Sequence, residues 1–238
     1  MAGAGTVVRV VLALSAAALA SARVEAQGPP RSLAAIIADL RLTGDSGARD
    51  WLARLGVAAG TAVHERLLAV TGDGKILRAL DGSDTTVVVT PEFDGDLVRE
   101  GARIVLVHNH PANTSLSQQD LGQLDKPGVL AIVAIGHDGS VYAAAKPQGF
   151  ARARRCAPEC YAQVRAEVSK ALRIEAPRMA TNASTAASYA THLTMLALAK
   201  GGYVDYFAAM APERRATFDA HIAAFGSVVA SARAVVEK

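Results

Sequence analysis

The residues best suited to chemistry stand close together: His108-Asn109-His110-Pro111, then Ser117-Gln118-Gln119-Asp120. The apolar run Arg103–Val107 before them is short and rich in β-branched residues, which predicts a buried strand. Side chains alternate across a strand with period two, so His108 and His110 at its end project to the same side and can reach one ion. Pro111 cannot donate to a ladder, so the strand stops and a polar loop begins. Asp120 then offers a carboxylate where a helix starts. Two imidazoles and a carboxylate suit an open zinc site, with the fourth position left for water. Ser117-x-x-Asp120 also has the form of a capping box, which needs no metal, and the two readings are compatible.

The elements that must place these residues follow from patterning. Ser32–Leu42 is predicted to form an amphipathic helix through Leu33, Ile36, Ile37 and Leu40. Ala48–Leu55 is a second helix that carries the only Trp, Trp51, into the core. Val63–Val70 and Lys75–Leu80, joined through Thr71-Gly-Asp-Gly74, read as a hairpin. Thr85–Thr90 reads as a third strand ended by Pro91, and Asp94–Ala102 as a short helix. A helix from Ser117 to Leu124, a central strand Val129–Ile135 and a returning strand Val141–Ala145 complete a mixed β-sheet flanked by helices, an α/β fold. Beyond Lys146 the pattern is helical only: Glu159–Leu172, Thr185–Lys200 and Pro212–Val236. The expected organisation is therefore residues 1–26 as a signal peptide, 27–59 as linker and helices, 60–149 as the catalytic domain and 150–238 as an all-α C-terminal region.

At this point the chain resembles a family. His108-x-His110-Pro111 with Ser117-x-x-Asp120 and an upstream glutamate on a strand is similar to the motif of the JAMM (MPN+) zinc metalloproteases. The likeness is closest to the prokaryotic RadC-like or JAB-type branch, over roughly residues 60–146. The resemblance implies a cytidine-deaminase-like sheet layout, with His108, His110 and Asp120 as zinc ligands. It also implies Glu65 as the general base and Ser117 as the support for the oxyanion. The chain departs from the pattern in one place: nine residues separate His110 from Asp120, where the motif usually has ten. The difference falls in the loop Ala112–Leu116, where a length change is tolerated best. Glu92 and Glu100 are rival carboxylates, placed by pattern in a loop and a helix. His64 should point away from Glu65 across its strand, and His137, His192 and His221 lack ligand-like neighbours.

Composition bounds the rest. The chain of 238 residues is 51% hydrophobic and 20% charged with a net charge of +3, a small excess that gives nucleic-acid binding no support. A single Arg9 before the apolar run Val10–Ala20, with Val24-Glu25-Ala26 as a small-x-small cleavage site, predicts export to the periplasm or beyond. The apolar run is short for a spanning helix, so no membrane span is expected in the mature chain. In an oxidising compartment Cys156 and Cys160 are either a local disulfide or two thiols. The basic run Arg152–Arg155 reads as a solvated face or a contact for an acidic partner. Three functions are thus on the table: an exported zinc peptidase or isopeptidase, a non-catalytic MPN-type binding module, and a RadC-like nucleic-acid protein. The first fits the complete residue set and the export signal together.

Overall fold

A computed structural model of the chain describes residues 31–57, 64–83, 86–99, 101–147, 158–179 and 183–237. The expected signal peptide, the Arg152–Arg155 run, Glu100 and Cys156, one half of the candidate Cys156–Cys160 pair, lie outside the described residues.

Six strands form one mixed sheet in the order β2-β1-β3-β4-β5-β6. They are β1 Arg66–Thr71, β2 Ile76–Asp81, β3 Ile104–His110, β4 Val129–Gly136, β5 Val141–Ala145 and β6 Asp205–Ala209. Only β3 and β4 pair in parallel, and the other neighbours are antiparallel. Every residue of β3 and β5 is buried, as is all of β4 but Leu130, which is why these strands read as continuous apolar runs.

Helices cover both faces. On one face α1 (Leu33–Asp39) and α2 (Asp45–Arg54) pack Ile36, Ile37, Trp51 and Leu55 against Leu68, Val105, Val107 and Val133. Ser32 caps α1 by accepting the Ala35 N–H, and Trp51 donates its indole N–H to the Leu40 carbonyl at 2.8 Å. On the other face Leu67, Leu106, Ile132 and Tyr142 meet α3 (Pro91–Val98), α4 (Gln118–Leu124), α5 (Pro158–Glu175), α7 (Ala190–Lys200) and α9 (Ile222–Val236). Short α6 (Ala183–Ser188) and α8 (Pro212–Ala220) connect them. Arg31–Lys238 form one compact unit, so the changes of pattern near residues 60 and 150 fall inside it. Among the described residues no helix is long and apolar enough to cross a membrane.

The α/β class and the mixed sheet flanked by helices are as expected from the sequence. Two details differ. The C-terminal region is not all helical: β6 pairs antiparallel with β5, from Val141↔Ala209 to Ala145↔Asp205, and closes that edge of the sheet. Of the strand expected at Thr85–Thr90, the described residues 86–90 form none. Residues 86–90 have no ladder partner: Val87 and Val89 pack against the core while Thr90, in extended conformation, caps α3 by accepting the Phe93 N–H. The β-branched side chains that suggested a strand are used for packing against the core rather than for pairing.

Candidate metal centre

Period two puts Leu106, His108 and His110 on the α4–α5 face of β3, while Val105, Val107 and Asn109 face α1 and α2. Both histidines are almost fully buried, at 3% and 6% exposure. The chain then turns sharply. The Asn113 N–H donates to the His110 carbonyl at 3.0 Å, and Asn113 adopts a left-handed backbone (φ 55°), a conformation asparagine tolerates better than most residues. Its side-chain oxygen accepts the Asp138 N–H, fastening the turn to the β4–β5 hairpin. Gly136 lies beneath, where an added Cβ would stand 2.6 Å from Asp138 Oδ1 and 3.1 Å from Asn113 Oδ1.

This turn brings Thr114 back onto His110. The Thr114 carbonyl is 2.8 Å from His110 Nδ1, so that nitrogen carries the proton and Nε2 is left as a lone pair. The C-terminal region holds the same loop at three points. Ser115 N–H donates to Thr191 Oγ1, Ser115 Oγ lies 2.7 Å from the Tyr206 hydroxyl, and the Tyr161 hydroxyl donates to the Leu116 carbonyl.

Asp120 arrives through a complete capping box at the start of α4. Its amide N–H donates to Ser117 Oγ at 3.2 Å, and its Oδ2 accepts the Ser117 N–H at 2.6 Å. The other carboxylate oxygen, Oδ1, lies 3.2 Å from His108 Nε2, and Oδ2 lies 3.7 Å from His110 Nε2. The two Nε2 atoms are 2.8 Å apart. The capping and metal readings of Ser117-x-x-Asp120 therefore coexist in one carboxylate.

Three electron-pair donors thus converge, their ligand atoms all within 4.8 Å of one another, and His108, His110 and Asp120 could hold a metal ion. The spacing suits one: four donors at ~2.0–2.1 Å in a tetrahedron stand ~3.3 Å apart. The electrostatics point the same way. Burial pushes the His108 pKa down, but the charge and hydrogen bond of Asp120, aided by Glu65, outweigh it and the net shift is upward. Burial, then the neighbouring His108, lower His110 to about 4. For Asp120 burial acts upward, yet His108 and His110 hold the carboxyl well below its usual range. The site is built around a carboxylate anion and favours positive charge between the three side chains.

The triad forms the floor of a cleft of about 330 Å³ whose walls include Glu65, Leu67, Val87, Pro111 and Ser117. Glu65 lies one residue before β1 rather than on it. Its main chain is nonetheless tied to the residues after β2, donating to the Ser83 carbonyl and accepting the Gly82 N–H. Leu67 pairs with His108, so continuing the register places Glu65 beside His110 on the same face. Its pKa is raised, chiefly by burial, with His108 opposing and Asp120 reinforcing the shift. All five expected site residues therefore line one cleft, whereas Glu92 sits in the first turn of α3 and does not.

Of the remaining histidines, His64 is exposed and His137 is in the β4–β5 turn. His192 is buried, with Nδ1 2.8 Å from the Tyr206 hydroxyl. The role of the Thr114 carbonyl had no sequence signal, because it depends on the turn rather than on a side chain. No family model, curated protein or solved structure matches the chain.

Proposed function

We propose that the protein is an exported zinc-dependent hydrolase of peptide or isopeptide bonds, working by the JAMM-type scheme its motif resembles. The observation that carries this reading is the placement of a partly buried glutamate, Glu65, in the same cleft as the His108, His110 and Asp120 donor set. Nitrogen and oxygen donors in this number suit zinc, with one coordination position left open. When bound, zinc supplies a Lewis acid and lowers the pKa of its water to about 7.

The chain's own residues do the rest. Glu65, with its raised pKa, accepts a proton from the attacking water and passes it to the departing amine nitrogen. Ser117 Oγ accepts the Asp120 N–H, which leaves its O–H to donate to the oxygen that gains charge as the carbonyl is attacked. Val87, Val89 and Leu67 give the cleft an apolar wall that excludes water from the reacting bond and accommodates a side chain of the substrate.

The test is cleavage of a fluorogenic peptide library by the zinc-loaded mature protein and by Glu65→Gln at matched zinc content. Turnover should fall by about 10²–10⁴-fold in the variant, the usual contribution of a positioned acid–base group. Equal turnover would remove Glu65 from the mechanism, and no cleavage of any peptide or isopeptide substrate by the loaded wild type would favour a binding module.

A further inference from the structure

Resting on the hydrolase reading above, the geometry points to Asn109, the residue between the two histidines, as a positioning residue for Glu65. The β1–β3 ladder ends at Leu67↔His108. One step further, where Arg66 comes opposite Asn109, the Asn109 side chain supplies the cross-strand bonds. Its Oδ1 accepts the Arg66 N–H at 2.7 Å, and its Nδ2 donates to the His64 carbonyl at 3.0 Å. These two bonds grip the main chain on both sides of Glu65. The second Nδ2 hydrogen faces His137 Nε2, also at 3.0 Å, which anchors the amide to the β4–β5 turn.

Asn109 is fully buried and points away from the cleft, so it touches neither the metal position nor a substrate there. It sits where an apolar side chain would pack as its neighbours Val105 and Val107 do, and burying an amide is tolerated only with its bonds made. Those bonds hold the backbone that carries the base. A ligand strand and the strand bearing the base are thereby locked together by a residue of the ligand motif itself. A carboxylate a single ångström out of place is enough to slow such a step by orders of magnitude.

The test uses the full mature chain as wild type, Asn109→Ala, Asn109→Asp and Glu65→Gln, with each Asn109 variant also combined with Glu65→Gln. The first readout needs no metal: amide hydrogen exchange at Arg66. It should accelerate by about a hundredfold in Asn109→Ala and stay near wild type in Asn109→Asp, which keeps the acceptor oxygen. The second is the affinity of the zinc-loaded proteins for acetohydroxamic acid, which gives its proton to a neighbouring base as it chelates. Asn109→Ala should weaken binding roughly tenfold with Glu65 present and cause no further loss in the Glu65→Gln background. Unchanged exchange at Arg66 would overturn the proposal, and so would an equal loss of hydroxamate affinity in both backgrounds. If Asn109→Ala does not fold, Asn109→Asp carries the test. Loss of its two donor contacts should then reduce hydroxamate affinity only when Glu65 is present, and equal affinity to wild type would overturn the proposal. If wild type takes up no zinc, the hydrolase reading fails, while Arg66 exchange still reports whether Asn109 clamps the strand end.

Discussion

His110 Nδ1 lies 2.8 Å from the carbonyl oxygen of Thr114, and this contact decides which nitrogen of the ring faces the cleft. The proton is held on Nδ1, so Nε2 is the donor atom offered to a metal. In the zinc-loaded protein, long-range ¹H–¹⁵N correlation should show His110 protonated at Nδ1 with the Nε2 resonance moved by the metal. A metal-shifted Nδ1 would contradict the assigned orientation.

Ser117 and Asp120 close a reciprocal cap at the start of α4. Ser117→Ala should lower stability by about 0.5–2 kcal/mol, the usual loss for an N-cap serine, measured by urea unfolding of the metal-free protein. It should also weaken zinc binding, because the cap orients Asp120. Unchanged zinc affinity despite the loss of stability would separate the cap from the metal site, and full stability would contradict the cap's contribution to the fold.

Burial, and then the charges of Arg214 and Arg215, lower the His192 pKa to about 3 from 6.5. A histidine depressed in the folded state is neutral there while the unfolded chain takes up a proton. Its contribution is therefore complete above pH 6.5 and is lost as pH falls from there towards 3. Between pH 5.5 and 4, His192→Gln should show a slope of stability against pH shallower than wild type by about 1.4 kcal/mol per unit, one proton's worth. Parallel slopes in urea titrations would show that His192 is not held neutral.

The C-terminal region completes the sheet and core and buttresses the site loop. Tyr206, on β6, reaches both His192 and Ser115, and Tyr161 holds Leu116. A chain ending at residue 147 would expose the β5 edge and the apolar face shared with α5, α7 and α9. Such a truncation should lose cooperative unfolding in circular dichroism, whereas a sharp transition like that of the full chain would assign this region a peripheral role.

The strongest signals in the sequence were local ones. The apolar run ending in His108 and His110, the Asp73-Gly74 hairpin and the Ser117 helix start each carry their own pattern, and each element formed where its pattern lay. β6 was invisible for the opposite reason. Asp205–Ala209 is short and partly alanine, and its strand character comes from pairing with β5, about sixty residues earlier in the chain. Thr85–Thr90 had strand composition, yet its described residues 86–90 pair with no strand. Asn109 carried no role in its sequence pattern, because its bonds reach His64 and Arg66 more than forty residues away and on the opposite face from the histidines.

The most direct measurement is zinc titration of the metal-stripped protein, with bound metal counted by mass spectrometry. One zinc per chain should bind to wild type and to Glu65→Gln, and be lost in His108→Ala, His110→Ala and Asp120→Ala. No uptake by wild type, or the same uptake in the triad variants, would contradict a metal centre at these three residues.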